Sequence, residues 1–233
     1  MARDEQRIIR EIIRAYDGLA VRVYCALRFQ ILNQQFLREI GQYLPKSGRV
    51  LDIGCGFGLF SLYYARVNPK LEIVGIDRNA ARIERARRAA ERLGIRNVHY
   101  EVGDVTTYPI REAFDGAYML DIIHHIPPAE VEPLIRRVIE CLSPRSRFMI
   151  KDIDSKPAYK RWFTWVLDKL MDPSTPVHYW PRTELIALTE SAGLEVFNHT
   201  IKDYLPYPHI LYICQPACAE PVTAPQRKLA RAR

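Results

Sequence analysis

The chain has 233 residues, 48% hydrophobic and 26% charged, which fits one ordinary globular domain with a real core. No apolar run reaches the roughly 18–20 residues of a membrane span, and the opening MARDEQRIIREII has early acids and no continuous apolar region, which argues against a secretory signal. The net charge of +7, from 34 basic and 27 acidic side chains, favours contact with phosphates, of nucleic acid or of anionic lipid.

Residues 4–16 place Ile8, Ile9, Ile12, Ile13 and Tyr16 on one helical stripe with arginines opposite. Asp17-Gly18 breaks the pattern, and a second helical stretch over 21–43 carries Val23, Leu27, Ile31, Phe36, Leu37 and Ile40. After Pro45-Lys46-Ser47-Gly48, strands and helices alternate. Strands are predicted at 49–53, 71–77, 98–104, 114–120 and 147–152, with helices at 58–67, 79–93 and 129–142. Such alternation means a parallel sheet with helices on both faces. Two further helices are predicted at 158–171 and 181–193, then strands near 194–200 and 208–214. Residues 216–233 hold Pro216, Pro221 and Pro225 and a basic end, and read as a disordered tail. The cysteines, Cys25, Cys55, Cys141, Cys214 and Cys218, are odd in number and scattered with no C-x-x-C pair. That points to a reducing, cytoplasmic setting and away from a metal site.

The stretch VLDIGCGFG (50–58) is a strand running into a glycine turn that opens a helix. A phosphate-binding P-loop needs lysine and Ser/Thr after its last glycine, but Leu59-Phe60-Ser61 follow here. A dinucleotide turn has the spacing G-x-G-x-x-G; the third such position is Leu59, which disfavours a nicotinamide dinucleotide.

The stretch resembles the first motif of the class I S-adenosylmethionine-dependent methyltransferases. The resemblance continues in order through GIDRN (75–79), VGDVT (102–106), FDGAYMLDIIHHI (114–126) and the strand ending at Lys151-Asp152. It covers residues 45–155 closely and the last two strands loosely. It implies a Rossmann-like seven-stranded α/β fold: a mostly parallel sheet, helices on both faces, an antiparallel last strand and added N-terminal helices. The organisation it suggests is a helical cap over 1–44, a methyltransferase domain over 45–215 with a substrate-side insertion at 158–193, and the tail at 216–233.

The cofactor implied is S-adenosyl-L-methionine, leaving as S-adenosyl-L-homocysteine. Gly54 and Gly56, with Cys55 between them, let the backbone approach its amino acid part. Asp77, followed by Arg78, sits at the end of the second strand, where a carboxylate can accept the ribose hydroxyls. The resemblance places Asp104 on the adenine amino group with Val105 beside the ring, Asp52 near the methionine ammonium, and Leu120 and Asp121 next to the sulfonium.

The acceptor is less legible. His124 and His125 follow the fourth strand, and adjacent positions cannot both face the cofactor; His125 is preferred as a base, with a packing role for one or both as the alternative. Tyr16 resembles the lid tyrosine of small-molecule methyltransferases, or is a core residue. The absence of N/D-P-P-Y/F after the fourth strand disfavours a base-amino acceptor, and no sequence-specific nucleic-acid motif stands out. The 158–171 helix has a wide apolar arc with Trp162, Phe163 and flanking Lys160 and Lys169, suited to an apolar acceptor pocket or a membrane interface. His178, Tyr179, Trp180, Tyr204, Tyr207 and His209 are candidate polar handles. The expectation is a hydrophobic small-molecule or lipid acceptor, with peripheral contact at the inner face of a membrane. RNA or protein as substrate, or a non-catalytic cofactor-binding subunit, are the alternatives.

Overall fold

The computed structural model describes residues 2–153, 162, 165, 176–201 and 209–217. Three helices come first: α1 (Ala2–Ala15), α2 (Leu19–Ile31) and α3 (Gln34–Gly41). Then follow β1 (Gly48–Ile53), α4 (Leu59–Val67), β2 (Leu71–Asp77), α5 (Ala80–Leu93), β3 (Val98–Val102), β4 (Phe114–Leu120), a 3₁₀ turn (Ile123–His125), α6 (Pro128–Glu140), β5 (Leu142–Ile153), α7 (Arg182–Ser191), β6 (Leu194–Thr200) and β7 (His209–Pro216).

The single helical stretch expected over 21–43 is two helices. Leu32 leaves helical angles, and the Asn33 side chain accepts from the backbone N–H groups of Gln35 and Phe36 at 3.0 and 3.2 Å. An asparagine cap satisfies amides that a new helix leaves open, so the chain restarts there. Gly94 closes α5 in the left-handed conformation, as expected of a C-cap glycine. β5 begins earlier than its apolar core suggests, at Leu142. β7 runs to Pro216, into the start of the segment expected to be disordered. Residues 218–233 lie outside the described residues, as does the 158–171 helix except Trp162 and Trp165, which are helical and exposed.

The seven strands form one sheet in the order β3-β2-β1-β4-β5-β7-β6. β1 to β5 pair in parallel, and β7 runs antiparallel to both β5 and β6. Successive strand residues point to opposite faces. Val50, Ile73, Tyr118 and Met149 therefore enter one core with α1 to α5, while Leu51, Val74, Met119 and Ile150 enter a second core with α6 and α7. The inner strands β1, β2, β4 and β7 are buried on both faces and show no alternation of buried and exposed residues, whereas the edge strands β3 and β6 alternate. The order of strands reverses direction between β1 and β4. Ligands of open α/β sheets bind outside the carboxyl ends of the strands at such a point.

Candidate active site

A cleft of about 1630 Å³ opens at that switch point. Its floor is the carboxyl ends of β1, β2 and β4 with the loops that follow, and its other wall is α1 and α2. Asp52, Gly54, Cys55, Gly56, Asp77, Arg78, Asp104, Val105, Leu120, Asp121 and His125 all line it. The structure thus brings together every cofactor-side residue picked out in the sequence.

The glycine turn is pinned from below. The N–H groups of Gly54 and Cys55 both donate to the Ile76 carbonyl, at 2.8 and 3.0 Å. Gly56 has φ 55°, in the left-handed region, and a β-carbon added to it would meet nothing nearer than Asp77 Oδ2 at 4.0 Å. The space above this glycine is open to a ligand. Asp77 holds the other rim: its Oδ2 accepts from Gly56 N–H and its Oδ1 from Asn79 N–H, each at 2.9 Å. Each carboxylate oxygen has a second acceptor site, so both ribose hydroxyls can be received at a position already fixed. Asp104 stands at the far end, its Oδ1 accepting the Thr106 N–H at 2.9 Å and hydroxyl at 2.7 Å. These two bonds hold its carboxyl below the usual range. An open glycine cradle flanked by these acids fits S-adenosylmethionine.

Asp52 lies deeper, 3% exposed, and accepts from the Ser61 hydroxyl and, at 2.9 Å, from the Tyr118 hydroxyl. Burial pushes its carboxyl up to about 7, against the pull of those hydroxyls. The aspartate is thus poised between its two protonation states at neutral pH.

Asp121 has another setting than a lone acid beside a sulfonium. It is the one non-glycine residue with positive φ (57°) among the described residues. Its carboxylate pairs with the Lys151 ammonium and, at 3.1 Å, with the Arg28 guanidinium. Burial works against ionisation here, but Lys151 and Arg28 outweigh it and hold the carboxyl well below the ordinary range. Lys151 is fully buried at the end of β5, its ammonium 5.7 Å from the Phe36 ring centre. Aspartate tolerates the left-handed conformation better than most residues, and such strain is typical of functional sites.

The three candidates for chemistry separate. His125 lines the cleft. His124 does not: it is 1% exposed, and its Nδ1 bonds the buried Asp152 carboxylate. The two rings lie 4.1 Å apart. Tyr16 lies in the core, the alternative to a lid position. It is buried beneath the cleft wall, and its hydroxyl donates to the Phe57 carbonyl at 2.5 Å, fastening the end of α1 to the glycine turn. Of the proposed polar handles, His178 donates its N–H to the His124 carbonyl at 2.7 Å, and Trp180 and His209 are buried. Tyr204 and Tyr207 lie outside the described residues.

Several cleft residues have no counterpart among the motifs. Tyr24, Leu27, Arg28 and Ile31 of α2, Ile9 and Ile13 of α1, and Phe60 at the start of α4 make the wall facing the cofactor side. Their signal in the sequence is only amphipathic periodicity, which a core face produces equally well. Arg28 alone carried a hint, since residues 18–38 contain three arginines and no acid. Among the described residues no cluster of side chains suits a metal ion, and no helix is long and apolar enough to cross a membrane.

The family model of the methyltransferase domain matches residues 44–201. The chain belongs to this family. Its architecture is that of the class I S-adenosylmethionine-dependent methyltransferases, the donor of the family being S-adenosylmethionine. Among relatives, the chain is 25% identical over 146 residues to carboxy-S-adenosyl-L-methionine synthase of Nitratiruptor sp., covering 61% of this chain and 58% of that one. It is 30% identical over 126 residues to the ubiquinone biosynthesis O-methyltransferase of Azorhizobium caulinodans, covering 53% and 48%. The chain thus spans about half the length of these curated relatives. The solved structure of mitomycin 7-O-methyltransferase superposes with a TM-score of 0.65 at 20% identity, over 78% of this chain and 53% of that one, a likeness of fold.

Proposed function

We propose that this methyltransferase-family protein transfers a methyl group from S-adenosylmethionine to an apolar or amphiphilic small molecule of lipid or isoprenoid type. The cleft carries this reading. Ligand pockets usually measure about 300–1,000 Å³, and 1630 Å³ has room for a cofactor and an acceptor together. Its chemistry also divides. Asp52, Asp77 and Asp104 with the glycine turn suit an amino acid, a ribose and an adenine, while Ile9, Ile13, Tyr24, Leu27, Ile31 and Phe60 suit an apolar body. The relative named for ubiquinone biosynthesis points towards the same kind of acceptor. The reading with RNA or protein as substrate rests on the basic tail, which lies outside the described residues.

S-adenosylmethionine supplies an electrophilic methyl on a sulfonium. The chain's residues supply alignment and exclusion of water, which together can lower a barrier by about 7–11 kcal/mol. Asp77 and Asp104 fix the nucleoside, and the apolar wall of α1 and α2 sets the acceptor opposite Leu120. Where the accepting atom carries a proton, as in a hydroxyl, His125 takes it as the new bond to carbon forms and the thioether leaves.

Calorimetric titration with S-adenosylhomocysteine tests the cofactor half, and transfer of labelled methyl from S-adenosylmethionine to a panel of prenylated phenols and fatty amphiphiles tests the acceptor half. Tight binding and label in the organic phase are expected. No heat of binding, or label appearing only in RNA or protein, overturns the reading.

A further inference from the structure

α2 leaves an apolar stripe uncovered. Leu19, Val23 and Leu27 are 79%, 49% and 54% exposed. Spaced four residues apart, they lie within one face of the helix. Single exposed apolar residues are ordinary, but a contiguous stripe on a helix marks a contact surface. Leu27 also lines the cleft, so the stripe runs up to its mouth.

The charge around the stripe indicates what covers it. The acids of the neighbouring cap face arginines of this same chain. Asp17 takes both arms of Arg92 at 2.7 Å, Glu5 takes Arg38 at 2.7 Å, and Glu11 lies 3.9 Å from Arg7 and 3.7 Å from Arg66. α2 itself has arginines and no acid, and Arg22, next to Val23 in the helix, has an exposed side chain. The Arg22 Nε is anchored on the Tyr16 carbonyl at 2.8 Å, which holds its guanidinium beside the start of α2. Elsewhere among the described residues Trp162 and Trp165, each in a helical conformation, are 65% and 45% exposed. An apolar stripe rimmed by cations, with exposed tryptophans on the same protein, matches the requirements of a helix lying in the plane of an anionic bilayer.

We infer that the Leu19–Val23–Leu27 face of α2 docks on an anionic lipid surface, with the cleft mouth turned towards the bilayer. The arginines meet lipid phosphates while the three apolar side chains enter the acyl boundary. Docking stands on these residues alone. What rests on the proposed function is its consequence, that an amphiphilic acceptor passes from the bilayer along Leu27 into the cleft.

The test is flotation of the full chain with vesicles of phosphatidylcholine containing about a third phosphatidylglycerol. Wild-type protein is expected to float with them, less so in high salt, and not with phosphatidylcholine alone. The double variant Leu19→Ser/Val23→Ser changes exposed residues outside the cleft and is expected to reduce the vesicle-bound fraction by about tenfold or more. Its affinity for S-adenosylhomocysteine should stay unchanged, which separates lost docking from lost folding. Absence of wild-type flotation, or equal flotation of the variant, overturns the inference. So does a wild-type dimer that the double variant converts to monomer, since a second copy would then be the occupant of the stripe. Failure of S-adenosylhomocysteine binding in both proteins would strike the proposed function and leave docking to be judged by flotation.

Discussion

Replacing Asp52 by asparagine separates the cost of burying a charge from the use made of it. In the folded protein this carboxyl is pushed up to about 7 by burial, from 3.8 in an exposed setting. Between about pH 4 and 7 the folded state therefore keeps a proton that the unfolded state has lost. The linkage sign follows: stability falls as pH rises through that window and levels off above it. A gap of about 3 pH units at 1.36 kcal/mol each amounts to about 4 kcal/mol lost by pH 8. Asparagine never ionises, and its oxygen can still accept from Ser61 and Tyr118. Allowing for imperfect fit, Asp52→Asn should be roughly 2–4 kcal/mol more stable than wild type near pH 8, and little different near pH 4. Urea unfolding at the two pH values reads this directly, provided the m values agree. The functional arm runs the other way. If the methionine ammonium sits against Asp52, binding requires the carboxylate, and affinity for S-adenosylhomocysteine should weaken by up to about tenfold per unit below pH 7 in wild type alone. An equal stability gap at both pH values would refute the electrostatic argument, and a pH-independent wild-type affinity would refute the role.

Gly58→Ala should cost roughly 2–5 kcal/mol, the sum of left-handed backbone strain and overpacking. Gly58 has φ 70°, and a β-carbon there would lie 2.5 Å from Cζ and 2.7 Å from Cε1 of the buried Tyr100 ring; an unshifted denaturation midpoint would contradict this. Asp77→Asn presents an amide donor where Gly56 and Asn79 both need acceptors, and should weaken S-adenosylhomocysteine binding by about 10–100-fold in calorimetry. Unchanged affinity would remove the ribose role. Asp121→Asn leaves the fully buried Lys151 without its counter-charge and should destabilise by roughly 3–5 kcal/mol, with Lys151→Met added to it restoring most of the loss. A second change that restores nothing would mean the pair does not act as a unit.

The cofactor half of the site is legible in the sequence because it is built from strand ends. A strand announces itself by a short apolar run, and the residue that ends it must lie at the sheet's carboxyl edge. Asp52, Asp77 and Leu120 thus reach the cleft by topology alone, whatever surrounds them. The depth of Asp52 was not legible. Its partners Ser61 and Tyr118 come from α4 and β4, and β4 is buried on both faces, so no alternation marks which of its residues turns towards the acid. Nor did spacing separate His124 from His125. The 3₁₀ turn after β4 decides it, placing one over Asp152 and the other in the cleft. The α1–α2 wall proposed to hold the acceptor was least visible of all. It is held by contacts distant in sequence, Arg92 with Asp17, Arg38 with Glu5 and Tyr16 with the Phe57 carbonyl, none of which leaves a local pattern.

Asp121 joins the two halves and bears on how the transfer works. Its place at the end of β4 suggests an acid provided for the cationic sulfonium. The structure instead has the carboxylate engaged on both sides, by Lys151 from β5 and by Arg28 from α2. An uncompensated carboxylate next to the sulfonium would stabilise the charged ground state more than a transition state in which that charge is dispersing, and would slow the reaction. With its charge already balanced, Asp121 would avoid that penalty beside a sulfonium, and its pair with Arg28 ties the helical cap to the strand ends. On the proposed function the catalytic demand then falls on geometry and dryness, supplied by the α1–α2 wall, and the Arg28–Asp121 pair is the point at which that wall meets the strand ends.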